Sequence, residues 1–129
     1  MEEIELETRQ DLMDYLNKTE YEFVVLKFTA DWCNPCKRIA PFIDKLITEK
    51  ETEFANTPKK FLFIEVNVDV CFDLYAFLKK KKMINGIPCI FLYSKKIYST
   101  NDKDQLYIPQ ASISGTKEDQ IKAVLELIK

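Results

Sequence analysis

The sequence predicts an α/β fold in a single domain, residues 1–129, with a central mixed β-sheet flanked by helices on both faces in the order βαβαβαββα. Two runs, Phe23–Thr29 (FVVLKFT) and Phe61–Val68 (FLFIEVNV), are apolar on both faces with one charged interruption each. That is the pattern of strands covered on either side. Segments with apolar residues at helical spacing alternate with the strands. The chain of 129 residues is 47% apolar with nine Phe, so one core can form without cross-links.

Ile4–Glu7 reads as a short opening strand. Thr8–Lys18 follows as an amphipathic helix, with Leu12, Met13, Tyr15 and Leu16 grouped at helical spacing. After the first apolar strand, a helix runs from about Pro35 toward Glu49 and gathers Ile39, Phe42, Ile43, Leu46 and Ile47 on one side. Pro41 lies inside that helix and is expected to bend it. The second strand leads into a helix near Cys71–Lys82. Pro88–Tyr93 (PCIFLY) forms a third strand introduced by Gly86, and Leu106–Ile113 a fourth. Pro109 lacks a ladder donor, which suits only an edge strand. Gly115 ends it. Thr116 and Asp119 then have the spacing of a capping box for the last helix, through Ile121, Val124, Leu125 and Ile128.

Composition narrows the chemistry. The formal net charge of −2 offers no basic field for nucleic acid or anionic lipid. The run Lys79–Lys82 reads as a solvated helix end that suits the helix dipole. No stretch approaches the ~18 consecutive apolar residues of a membrane span. The opening Met-Glu-Glu-Ile-Glu is acidic where a secretory signal is basic and then apolar, so a protein starting at Met1 is expected in the cytoplasm. In that reducing compartment four cysteines point to catalysis or metal binding rather than to a disulfide framework. The chain has no His. Cys–His nucleophilic catalysis and His-ligated metals are thereby excluded.

The segment that carries chemistry is Ala30–Lys37 (ADWCNPCK), where a buried strand ends and a helix begins. A cysteine at a helix N-terminus faces unpaired amides and the positive end of the dipole, which favour its thiolate. The thiolate is the attacking form of a cysteine. Two residues between Cys33 and Cys36 let the second thiol reach the first sulfur, and Pro35 suits the first helical turn. A structural zinc or iron–sulfur site would need two further thiolates, and only Cys71 and Cys89 remain, far apart in sequence.

With these residues in place, the chain resembles the thioredoxin family over nearly its whole length. Phe28–Lys37 (FTADWCNPCK) resembles the family's strand–loop–helix centre, and Pro41 falls at its helix kink. Gly86-Ile87-Pro88 resembles its cis-proline loop, and Gly115 the glycine near its last strand. The resemblance implies a thiol–disulfide oxidoreductase that reduces protein disulfides, with Cys33 as exposed nucleophile and Cys36 as partly buried resolving thiol. Trp32, Ile87, Pro88 and Gly115 would line the substrate, with Pro88 cis and the Ile87 backbone pairing with an extended segment. No cofactor or metal is implied. The implied partners are disulfide-containing proteins and a thioredoxin reductase, with the chain a monomer. Pro35 between the cysteines favours the reducing type over an oxidase or isomerase. An interaction module on the same fold is the alternative from another class, and the presence of both cysteines speaks against it. The Cys-Pro-Tyr-Cys centre of a glutaredoxin is absent.

Four features depart from the family. Asn34 stands where Gly is usual. Lys27 occupies the position of a buried acid six residues before the first cysteine, and Glu65 that of its basic partner. A lone charge inside an apolar strand is costly, so Lys27 and Glu65 are expected to form a buried pair with exchanged signs. The family's acid helps to move the proton of the second cysteine, and the resemblance gives that duty for Cys36 to Glu65 or to water held by the pair. The alternative is that both reach the surface and serve no chemistry. Cys71 reads as a free thiol at a helix start, where some members of the family also carry a cysteine; Cys89, after the expected cis-proline, is an unusual placement and reads as a small hydrophobe, the alternative being a third thiol that accepts a disulfide. Tyr93–Ile113 is longer than the family's turn and is expected to form an extended hairpin with its tip at Asn101–Asp104, Tyr98 and Tyr107 stacking across it.

Overall fold

A computed structural model describes residues 4–129. Its elements are α1 (Arg9–Lys18), β1 (Phe23–Thr29), α2 (Asn34–Glu53), β2 (Phe61–Asn67), α3 (Phe72–Lys80), β3 (Cys89–Ser94), α4 (Lys95–Tyr98), a 3-10 turn (Lys103–Gln105), β4 (Ala111–Ser114) and α5 (Glu118–Leu125). The strands form one mixed sheet in the order β2-β1-β3-β4. β1 runs parallel to β2 and antiparallel to β3, which is antiparallel to β4.

Alternation along β1 divides the core. Val24, Leu26 and Phe28 face one way, against Leu12 and Leu16 of α1 and Leu74 and Leu78 of α3. Phe23 and Val25 face the other, against Ile39, Ile43 and Ile47 of α2 and Ile121, Val124 and Leu125 of α5. β1 is thus buried on both faces, which is why its apolar run is nearly unbroken. Phe28 packs edge-on against Phe91 at 5.0 Å between centroids, below the strand end that carries the cysteines. Burying such a ring contributes about 1.5–3 kcal/mol, so the floor of the site is firm.

α1 begins with the capping box Thr8–Asp11, each side chain bonding the other's backbone. α2 runs on four residues beyond the predicted end and carries Pro41 within it. α3 starts after Cys71 and ends inside the lysine run.

Four sequence expectations are corrected. Ile4–Glu7 is not a strand. Its alternation is satisfied instead by Leu6 entering the core and by the Glu7 carbonyl accepting the Leu74 N–H at 3.3 Å. The fourth strand is shorter, and Pro109 precedes it. The Gln110 N–H donates to the Leu92 carbonyl at 2.8 Å, so pairing begins at the first residue past the proline with a donor. No extended hairpin follows β3. The chain turns into α4 and the 3-10 turn, and the tyrosines find separate partners: Tyr98 donates to the Tyr21 carbonyl, Tyr107 packs edge-on against Phe77. The last helix takes Lys117 as N-cap with no side-chain bond. It starts one residue too late for the Thr116–Asp119 capping box.

Candidate active site

β1 ends at Thr29, and a turn through Ala30–Trp32 delivers Cys33 as the N-cap of α2. The Cys33 N–H donates to the Ala30 carbonyl at 3.1 Å, closing that turn. Asn34 and Pro35 open the helix, where a proline removes no needed donor. Cys33 and Cys36 form a disulfide, with Cα atoms 5.3 Å apart. The Cys36 N–H points at Cys33 Sγ at 3.2 Å. A free helix amide thus addresses the first sulfur, which stabilises negative charge there.

The opposite wall is the loop before β3. The Ile87–Pro88 bond is cis, and the Ile87 carbonyl oxygen lies 3.9 Å from Cys33 Sγ. Gly115 holds this loop, its N–H donating to the Pro88 carbonyl at 2.9 Å with φ at +106°. A side chain at that φ is strained, which is why glycine stands there. Two separate segments of the chain therefore meet at the Cys33 sulfur, and Gly115 in a third holds one of them in place.

Trp32 is exposed, and its indole N–H donates to Asp69 at 2.9 Å in the loop after β2. Asp69 was not foreseen. Water satisfies the indole N–H of an exposed Trp, so no signal in the sequence called for this partner. Cys33 and Cys36 are both nearly buried, at 3% and 2% exposure. This corrects the expectation of an exposed first cysteine. Its sulfur is bonded on one side and walled by the Ile87 carbonyl on the other, so the two thiols differ by helix position and not by exposure.

Lys27 and Glu65 lie opposite each other in the β1–β2 register, with Nζ 3.5 Å from Oε1. Lys27 belongs to the β1 face that α2 covers, toward the strand end that leads to Cys33. Its side chain is 4% exposed, while that of Glu65 is 62% exposed. The expectation of a buried pair is therefore half corrected. β2 is an edge strand, so Glu65 reaches solvent and only Lys27 is enclosed.

The other two cysteines are free and buried. Burial pushes the Cys89 thiol up to about 11. Burial, then Glu7 and Glu5, raise Cys71, which caps α3. Both are held as unreactive thiols at neutral pH. Among the described residues no cluster of His, Cys, Asp or Glu is arranged to hold a metal ion.

A family model described as Thioredoxin matches residues 3–125. The chain belongs to the thioredoxin family. The thioredoxin of Equus caballus is 37% identical over 79 residues, 61% of this chain and 68% of that protein. Thioredoxin 1 of Plasmodium falciparum is 35% identical over 75 residues, 58% of this chain and 61% of that one. The crystal structure of Fasciola hepatica thioredoxin superposes with a TM-score of 0.63 at 22% identity, covering 96% of this chain and 97% of the other. A Plasmodium falciparum thioredoxin structure gives 0.60 at 23% identity, covering 95% and 96%. At that identity the superpositions speak for the fold. The family match and the joined Cys33–Cys36 pair together make this chain a disulfide-reducing thiol–disulfide oxidoreductase. No helix among the described residues is long and apolar enough to cross a membrane.

Proposed function

We propose that Cys33 is the attacking thiolate and Cys36 the resolving thiol in the reduction of protein disulfides. The observation that carries the assignment is Cys33 at the N-cap of α2, its sulfur facing the Cys36 amide at 3.2 Å. The Cys33 thiolate attacks one sulfur of a substrate disulfide. A mixed disulfide forms, and the other substrate sulfur leaves as a thiolate and takes a proton. The Cys36 thiolate then attacks Cys33 Sγ, releasing the second substrate thiolate and closing the Cys33–Cys36 disulfide. Two electrons have passed to the substrate, and a thioredoxin reductase returns two to the pair.

Trp32, Ile87, Pro88 and Gly115 form the substrate wall in this reading. The Ile87 carbonyl beside Cys33 Sγ suits pairing with an extended backbone, and Gly115 fixes the loop that presents it. Glu65 takes the proton of Cys36 through the Lys27 pair, its exposed carboxylate giving that proton an exit to water. The protein works as a single-domain monomer in the cytoplasm; for the compartment, support comes from two cysteines left unpaired in the core.

Alkylation tests the roles. In protein reduced by dithiothreitol, iodoacetamide at pH 7 is expected to modify Cys33 more than about tenfold faster than the other thiols. Peptide mapping reads the order. Modification of Cys36 before Cys33 would reverse the assignment.

A further inference from the structure

The segment between β3 and β4, residues 95–110, leaves the sheet at the end opposite the reactive sulfur. Ser94 at the end of β3 pairs with Phe23 at the start of β1, whereas Cys33 follows the other end of β1. Three hydrogen bonds anchor the segment. The buried Tyr93 donates its hydroxyl to the Tyr107 carbonyl at 2.7 Å, and Tyr98 donates to the Tyr21 carbonyl at 3.1 Å. The Gln110 N–H donates to the Leu92 carbonyl at 2.8 Å. The side chains of this segment therefore stand on a fixed frame.

Between this segment and the end of α1 lies a cavity of about 390 Å³. Its apolar lining is Leu16, Tyr98 and Leu106, all buried. Three lysines from three separate elements also line it: Lys18 in the last turn of α1, Lys95 at the start of α4 and Lys103 in the 3-10 turn. Among the described residues none of the three is in an ion pair. Lys50 and Lys60, by contrast, hold Glu53 and Glu22. Like charges around one cavity repel unless an anion joins them. Glu20 is the one carboxylate in the lining, so three lysines against one glutamate leave a net charge of +2. Asp102 and Asp104 flank Lys103 in sequence but do not line the cavity. Ser99 and Asn101 do line it, and neither side chain makes a hydrogen bond among the described residues.

A phosphate monoester matches this lining better than a carboxylate does. Near pH 7 it carries about −1.5 to −2 charges and offers three strong acceptor oxygens, one for each lysine. A carboxylate has a single charge and two coplanar oxygens. Lysine meets phosphate as a point charge, so the three ammonium groups need no shared plane. We propose that this cavity binds a phosphoryl group, with Lys18, Lys95 and Lys103 as its cationic contacts and Ser99 and Asn101 as neutral donors. Leu16, Tyr98 and Leu106 receive the carrier of that group. A phosphorylated small molecule and a phosphorylated side chain of another protein share this chemistry. The site is separate from the cysteines and stands whether or not they reduce disulfides.

An NMR titration of amide shifts in the oxidised protein tests the site, at about 20 mM ionic strength where screening is weak. The probes are inorganic phosphate, a nucleoside monophosphate and a phosphoserine tripeptide. Shifts are expected at residues 16–20 and 95–106, with a Kd of about 1 mM or tighter for at least one ester. The tighter of the two esters identifies the source of the group. In the triple variant Lys18→Gln, Lys95→Gln, Lys103→Gln the Kd is expected to weaken about tenfold or more. The control triple Lys45→Gln, Lys80→Gln, Lys96→Gln changes the net charge equally at lysines outside the cavity, and is expected to bind within about twofold of the parent. All six lysines are exposed, so both variants keep the fold. Equal weakening in the two triples, or shifts centred on the Lys79–Lys82 run, would overturn the site. So would no binding of any probe at about 10 mM. A tripeptide with Glu in place of phosphoserine that binds as tightly would overturn the preference for phosphoryl.

Discussion

Cys33→Ser is expected to abolish reduction of insulin disulfides, with a loss of at least about 10³-fold. The hydroxyl that replaces the thiol is a poor nucleophile toward sulfur, and the chain has no His to activate it. The two buried free thiols cannot substitute, because their burial suppresses the thiolate. Cys36→Ser is expected to behave differently. The first attack still occurs at the helix N-cap, but no second thiol breaks the mixed disulfide. The variant should accumulate covalent adducts of Cys33 with substrate, visible as non-reducing gel shifts and as substrate mass by intact-protein mass spectrometry. Equal trapping by both variants, or turnover surviving Cys33→Ser, would contradict the division of roles.

Lys27 carries the second large effect, on stability. Removing one member of a fully buried ion pair costs about 3–5 kcal/mol, because the other charge is stranded. Here the pair is uneven: Lys27 is 4% exposed in its side chain, Glu65 62%. Glu65→Gln leaves an ammonium that has lost a solvent-screened partner, and the expected loss is about 1 kcal/mol or less. Lys27→Ala deletes a buried stem on the face that packs against α2, and the expected loss is about 2–4 kcal/mol from the cavity. Lys27→Met keeps the volume and removes the enclosed charge, so it should be near neutral or stabilising. Urea unfolding of the oxidised protein ranks the three. A large loss in Lys27→Met would mean that the ammonium has favourable partners beyond Glu65. Stopped-flow kinetics adds the chemical test: Glu65→Gln should slow release from the mixed disulfide while leaving the first attack nearly unchanged. An unaltered release rate would leave Glu65 without a part in proton transfer.

The strands and helices that surround the site were legible because their burial is written as period. β1 and β3 are covered on both faces and read as apolar runs. The buried face of α2 reads as Cys36, Ile39, Ile43 and Ile47. The cysteine pair was legible because helix-start chemistry is local: Cys33, Pro35 and Cys36 need only one another and the helix amides. What sequence could not supply was contact between distant segments. Asp69 lies 37 residues from Trp32 and matters only because the loop after β2 folds beside the active-site turn. The unequal exposure of Lys27 and Glu65 follows from β2 being an edge strand, and periodicity along a strand carries no information about sheet order. Ile4–Glu7 misled for a related reason. Its alternation is real, yet the buried Leu6 satisfies it without a ladder.

The reduction potential of the Cys33–Cys36 pair tests the central claim most directly. Equilibration in dithiothreitol redox buffers, followed by alkylation and mass spectrometry, gives the fraction of pair oxidised at each poise. For a disulfide-reducing member of this family the expected midpoint is about −270 mV, the value characteristic of thioredoxins. A midpoint above about −200 mV would contradict the account, because the pair would then lie among protein disulfide isomerases and oxidases and draw electrons from its substrates.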